Sequence, residues 1–127
     1  MWSRNCSLKI INYKNIKPEP EMHSAKGVSV RWLITKKMGA PNFAMRLFEV
    51  DQNGSSSNHE HPWEHEVFIL DGEGEVENSE GKHAIKSGDV ILISSNERHQ
   101  IINTGCKILR FLCIIPHIDD QRMMKNN

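Results

Sequence analysis

The sequence has no long apolar run. Its longest, Phe111 to Ile115, falls far short of the roughly 20 residues a membrane-spanning helix needs, so no helical span is expected. Nor does it carry net charge: 16 Lys and Arg are balanced by 16 Asp and Glu, which excludes a nucleic-acid binder working through a broad basic footprint. The three cysteines, Cys6, Cys106 and Cys113, are an odd number at no zinc-ligand spacing and read as free thiols. The first 25 residues lack the apolar stretch of a secretory signal, being interrupted by Pro18, Pro20 and four lysines or arginines, so the expected address is the cytoplasm. No long segment shows a clean helical period either, and helix should be scarce.

What is present suits one small globular core. The chain has 127 residues, 38% hydrophobic and 25% charged, a length at which folding buries about two thirds of the unfolded surface. Charge is unevenly spread: residues 49–80 carry ten acids and no Lys or Arg, whereas residues 1–38 carry eight Lys or Arg and two acids. These carboxylates read as solvated strand edges and turns, and together they also make a field that favours a bound cation.

Short stretches rich in β-branched and aromatic residues alternate with turn residues, the pattern of an all-β sandwich or barrel. Val28 to Thr35 sets Val28, Val30, Trp32 and Ile34 on one face. Phe43 to Val50 follows and should end at Asp51-Gln52-Asn53-Gly54, a strong turn signal. His65 to Leu70 is apolar on both faces beyond Glu66 and reads as a central strand, with further strands at Glu75 to Glu77, Lys82 to Ile85, Val90 to Ile93, His99 to Asn103 and Ile108 to Ile115. The expected organisation is an N-terminal arm or edge strand over 1–25, placed for contact with a second copy, a β-barrel over 26–116 and a polar tail over 117–127.

The histidines carry the chemistry. In an extended segment His59 and His61 point to the same side, a chelating pair, and His65 shares their parity beyond a turn at Pro62. His99 opens a later strand behind Gly88-Asp89. Imidazoles suit Zn, Fe, Mn, Ni or Cu, whereas Ca and Mg prefer oxygen. His23, His83 and His117 read as solvent-facing or in turns.

At these residues the sequence resembles the cupin superfamily. His59-Glu60-His61-Pro62-Trp63-Glu64-His65, running on to Gly72, is similar to the first cupin motif, and Gly88 to His99 with Asn103 is similar to the second. Ser94 stands where the family has Pro and Asn96 where it has Gly; Asn tolerates the left-handed conformation that such a turn requires. The family's glutamate ligand falls at the position of His65, with Glu66 one residue out of register and therefore on the opposite face. Four histidines, His59, His61, His65 and His99, are thus the candidate ligands. The chain looks most like the small single-domain manganese cupins with four histidine ligands, which implies a double-stranded β-helix, or jelly-roll barrel, and a divalent metal with two adjacent positions open. Manganese heads the list, with Fe, Zn, Ni and Cu as alternatives.

The resemblance implies a metal-dependent oxygenase-type enzyme acting on a small organic molecule. Two other classes stay open: a non-catalytic cupin that binds a metal or small ligand, as sensor or store, and a Lewis-acid sugar or keto-acid isomerase. Pocket candidates follow from parity in Ile108 to Ile115, where the charged Arg110 should face out, so Phe111 and Cys113 face in. Arg46 is the candidate polar anchor, although Phe43, Met45 and Leu47 compete as the inward set on its strand. Trp63 is expected over the barrel mouth, and Tyr13, in the arm, is too remote for a cysteine–tyrosine crosslink. The partners expected are a small-molecule substrate and a second copy of the chain, with neither nucleic acid nor membrane.

Overall fold

The computed structural model describes residues 8–21 and 25–117. Cys6, His23 and the tail beyond His117 lie outside the described residues. Among those described the chain forms β1 (Glu19–Pro20), β2 (Lys26–Ile34), β3 (Phe43–Ser55), β4 (His65–Asp71), β5 (Glu73–Asn78), β6 (Gly81–Lys86), β7 (Val90–Ile93), β8 (Gln100–Asn103) and β9 (Leu109–Pro116). Single 3-10 turns at Tyr13–Asn15 and Lys36–Met38 complete it, and no described helix is long and apolar enough to cross a membrane. The fold is all-β, as the sequence pattern implies.

Pairing runs β6-β5-β8-β3-β9-β4-β7, with β2 also on β3 and β1 on β2. Twist curls this sheet into a half-barrel whose inner face is the core. Val28 and Val30 from β2, Phe48 and Val50 from β3, and Val67 and Ile69 from β4 meet there with Ile101 from β8 and Leu109 and Phe111 from β9. Strand β9 alternates without a break: Leu109, Phe111, Cys113 and Ile115 are buried and the residues between them are half-buried. Arg110 accordingly faces out, 3.2 Å from Glu49, which Arg31 also reaches at 3.3 Å. The Tyr13 ring lies beside both guanidiniums, at 5.3 Å from Arg31 and 5.2 Å from Arg110, and the Arg31 Nε donates to the Ile16 carbonyl. The described part of the arm is thereby tied across the outside of β2, β3 and β9, with β1 pairing β2 at Val30 and Ser29.

Four sequence expectations need correction. Strand β3 does not stop at Asp51-Gln52-Asn53-Gly54 but continues to Ser55. Those four residues form a bulge between the Val28–Val50 and Lys26–Ser55 pairs, with Asn53 left-handed at φ 66°. Gly54 is required there because a Cβ would stand 2.6 Å from the Lys26 carbonyl oxygen. A second bulge, between Trp32 and Ile34, breaks the parity of β2 and leaves Ile34 exposed. Strand β4 is central in pairing, between β7 and β9, yet only one face is buried: Phe68 and Leu70 are exposed at 44% and 41%. His117 is not solvent-facing; it is buried, its Nε2 2.7 Å from the Ala40 carbonyl.

Asn103 closes the corner beside the core. Its Nδ2 donates to the carbonyls of Val50 and Lys107 at 2.9 and 2.8 Å, and its Oδ1 accepts from Gly105 N–H. Only 2% exposed, it joins β3 to the β8–β9 turn through bonds water cannot replace. Asn103→Ala should cost about 2–3 kcal/mol in urea unfolding; an unchanged midpoint would contradict this role.

Candidate metal centre

The candidate ligands sit on three segments that backbone bonds fasten together. His59 and His99 form an isolated bridge, each N–H donating to the other's carbonyl at 3.2 and 3.0 Å. Asn96, left-handed at φ 65°, donates its N–H to the His61 carbonyl, so the two motifs hold each other at this turn. His65 opens β4 opposite Ile93. Strand parity turns His65 inward with Val67 and Ile69, and leaves Glu66 exposed on the outer face.

The four rings share one end of the barrel. Centroids are 4.1 Å apart for His59 and His61, 5.0 Å for His65 and His99, 5.2 Å for His61 and His65, 5.4 Å for His59 and His99, and 6.1 Å for His61 and His99. Imidazole nitrogens bind such ions at roughly 2.0–2.1 Å, which puts ring centroids about 4.5 Å apart at right angles and about 6.5 Å apart when opposed. The observed separations span a similar range. No three His, Cys, Asp or Glu side chains among the described residues already form a closed metal-holding group. His61 stacks flat on Trp63, 4.5 Å between centroids and 7° between planes, so drawing the rings together requires adjustment of that stack.

Protonation suits ligands. His99 Nδ1 lies 2.9 Å from the Glu97 carbonyl, which can only accept, so this bond places the proton on Nδ1 and frees Nε2. His65 Nδ1 lies 3.2 Å from Cys113 Sγ, while its Nε2 is buried with no partner. Burial, reinforced by His99 and Arg46, lowers the His65 pKa to about 2. Burial and the neighbouring histidines bring His61 to about 4, and burial with His99 also lowers His59. All three imidazoles are neutral at pH 7. Burial raises the Cys113 pKa, against the opposing pull of Arg46, so this thiol is protonated.

Behind the rings is a cavity of about 380 Å³. Arg46, Phe111 and Cys113 all line it. On β3 the inward set is Ala44, Arg46, Phe48 and Val50; Phe43 is exposed, and Met45 lines an outer groove with Ile10, Ile11 and Tyr13. The Arg46 guanidinium lies over the Trp32 and Phe48 rings at 5.4 and 4.8 Å and donates from Nη2 to Cys113 Sγ at 3.1 Å. No described carboxylate pairs with it; Glu21, also in the lining, is the acid felt by His59. Trp32, Phe48 and Glu21 were not foreseen as site residues. Position i+2 from Arg46 and shared parity with Val28 and Val30 were the available signals for Phe48 and Trp32; nothing local marked Glu21. His83 is on exposed β6, bonded to Asn78 and away from this cavity.

Residues 46–115 match the family model for the Cupin domain. The chain belongs to the cupin family. It is 34% identical over 113 residues to the oxalate-binding protein of Thermotoga maritima, covering 84% of this chain and 92% of that one. Among solved structures, this cupin resembles the polyketide cyclase RemF of Streptomyces resistomycificus, with TM-score 0.81 and 30% identity over 86% of this chain and 79% of that one. It also resembles a predicted oxalate decarboxylase of Thermotoga maritima, with TM-score 0.77 and 30% identity over 86% of this chain and 99% of the other. A sugar phosphate isomerase of Silicibacter pomeroyi, 17% identical with TM-score 0.75, shares the fold.

The lowered histidines have a consequence for stability. The unfolded chain takes up a proton on each imidazole as pH falls through 6.5, while folded His65 stays neutral down to about 2. Stability of the metal-free protein is therefore complete above that unfolded value and declines below it, by a little over 1 kcal/mol per pH unit from His65. The more exposed His59 and His61 add less. The urea midpoint should be clearly lower at pH 5 than at pH 7, and less so in His65→Gln; a flat midpoint in the parent would contradict the assignment.

Proposed function

We propose that this cupin is a metal-dependent enzyme of the oxygenase type, acting in the cytoplasm on a small organic molecule. His59, His61, His65 and His99 hold a divalent transition metal, manganese before Fe, Zn, Ni or Cu. One observation carries the reading: neutral imidazoles from three segments share a cavity with a guanidinium that has no carboxylate partner among the described residues. The orphaned His65 Nε2 is the kind of buried atom a metal would satisfy.

When bound, a redox-active metal with open positions supplies Lewis acidity and access to dioxygen. The chain supplies the rest. Glu97 O and Cys113 Sγ hold the Nδ1 sides of His99 and His65, orienting both rings as outer-shell partners do for metal-binding histidines. Arg46 faces any negative oxygen of the bound molecule, and the apolar wall around Phe111 lowers the polarity of its surroundings, which strengthens that attraction. Glu66, turned outward, would not reduce the charge of a metal held there. A second reading, a non-catalytic binder of a small organic anion, is supported by the name of the Thermotoga relative.

Replacing any one of the four histidines by Ala should lower metal content at least about tenfold, while Glu66→Gln should leave it unchanged; elemental analysis of the purified proteins decides. Loss in Glu66→Gln with retention in His65→Ala would contradict the four-histidine site. Metal-stimulated dioxygen uptake with carbonyl, phenolic or alkene compounds is expected of the enzyme, and saturable binding without uptake would leave the binder.

A homodimer is part of this proposal. Phe68, Leu70, Val90 and Leu92 are between 41% and 73% exposed and adjoin on the outer face, where Phe68 pairs with Val90 and Glu66 with Leu92. A second copy would bury such a patch against its own equivalent, as an isologous contact does. Light scattering should give the dimer mass, and Leu92→Lys the monomer mass; a monomeric parent protein would contradict it.

A further inference from the structure

The cavity says more about its ligand than that it is small. At about 380 Å³ it has room for about a dozen waters at roughly 30 Å³ each, far more than a bare dicarboxylate such as oxalate displaces. Its polarity is one-sided. The four histidines, Arg46, Trp63, Ser56, Ser57 and one acid, Glu21, make the polar part of the lining, while Val28, Phe48, Ile101, Phe111 and Ile115 make a buried hydrocarbon wall. Phe48 and Phe111 stack face to face within that wall, centroids 5.2 Å apart and planes 13° apart.

The polar groups are short of partners. Arg46 Nε and Trp63 Nε1 are buried donors without a hydrogen bond, and the aromatic seat under the guanidinium fixes where its charge can point. A half-buried guanidinium with an idle Nε–H and an idle indole N–H are both satisfied by an anionic oxygen. The wall is satisfied only by apolar surface, each buried CH2 adding about 0.8 kcal/mol.

From these features, and resting on the proposed metal-centred reading only for what happens after binding, we propose that the ligand is an organic anion with a flat apolar body of one or two rings. Its charged oxygens lie among the histidines and Arg46, and its body lies on the Phe48–Phe111 wall. This sets the chain apart from a protein built for oxalate, which has no apolar body and would leave the hydrocarbon wall bare.

The test is a ladder of carboxylates that share a head group and differ in body: acetate, benzoate and 2-naphthoate, with oxalate as the comparison. Calorimetric titration of the metal-loaded protein should give affinity rising at each step, with 2-naphthoate at least tenfold tighter than acetate and than oxalate. Phe111→Ala should shrink the gain from acetate to 2-naphthoate. Arg46→Gln, checked by circular dichroism to be folded, should weaken 2-naphthoate at least tenfold, and Arg46→Lys should recover part of the loss. Oxalate binding tightest, or affinities flat along the ladder, would overturn the inference even if the metal is bound as proposed. Failure of the parent protein to take up metal would instead remove the metal-centred reading, and the ladder run on the metal-free protein would still decide the ligand class.

Discussion

The site depends above all on the register of β9 between β3 and β4. Arg46 pairs with Cys113 across one side and Val67 pairs with Cys113 across the other, so three inward residues stand in a row one step from His65. Sheet parity makes this an all-or-none arrangement: a slip by one residue would turn Cys113 and Phe111 out and bring Arg110 in. The outer face resists that slip. Arg110 is tied to Glu49, and burying it opposite the histidines would strand a charge at a cost of several kcal/mol.

The cavity end of the barrel is held at a cost to stability. Arg46 sits without a carboxylate among the described residues, and cation–π contact with Trp32 and Phe48 returns only about 0.5–2 kcal/mol. His65 and His99 are buried among other titratable rings. A core built for stability alone would place aliphatic residues at such positions, as it does at Val50, Ile69 and Leu109, the most completely buried side chains. Unsatisfied polarity collected at one end of an otherwise apolar barrel is what a binding site looks like before its ligand arrives.

Much of this could be read from residue order. The unbroken alternation of Leu109 to Ile115 is a local pattern, and it survives folding because neighbouring strands enforce the same period. Arg46 was ambiguous because Phe43, Met45 and Leu47 offer an equally apolar alternative; the tie is broken by Trp32 and Cys113, both distant in sequence. Asp51 to Gly54 has the residues of a reversing turn, yet a bulge needs the same left-handed conformations, and only pairing with β2 separates the two. His117 was misread because its partner, the Ala40 carbonyl, lies 77 residues away. Phe68 and Leu70 looked like core because apolar character on both faces cannot distinguish a covered strand face from one left for another molecule.

X-ray absorption at the edge of the bound metal addresses the central claim most directly, because it counts scattering rings around the ion without altering a side chain. The account predicts four imidazoles, seen as nitrogen neighbours with the outer-shell scattering of rigid rings, and light-atom neighbours at the remaining positions. A first shell dominated by carboxylate oxygen, or one with sulfur from Cys113 in place of His65, would contradict it.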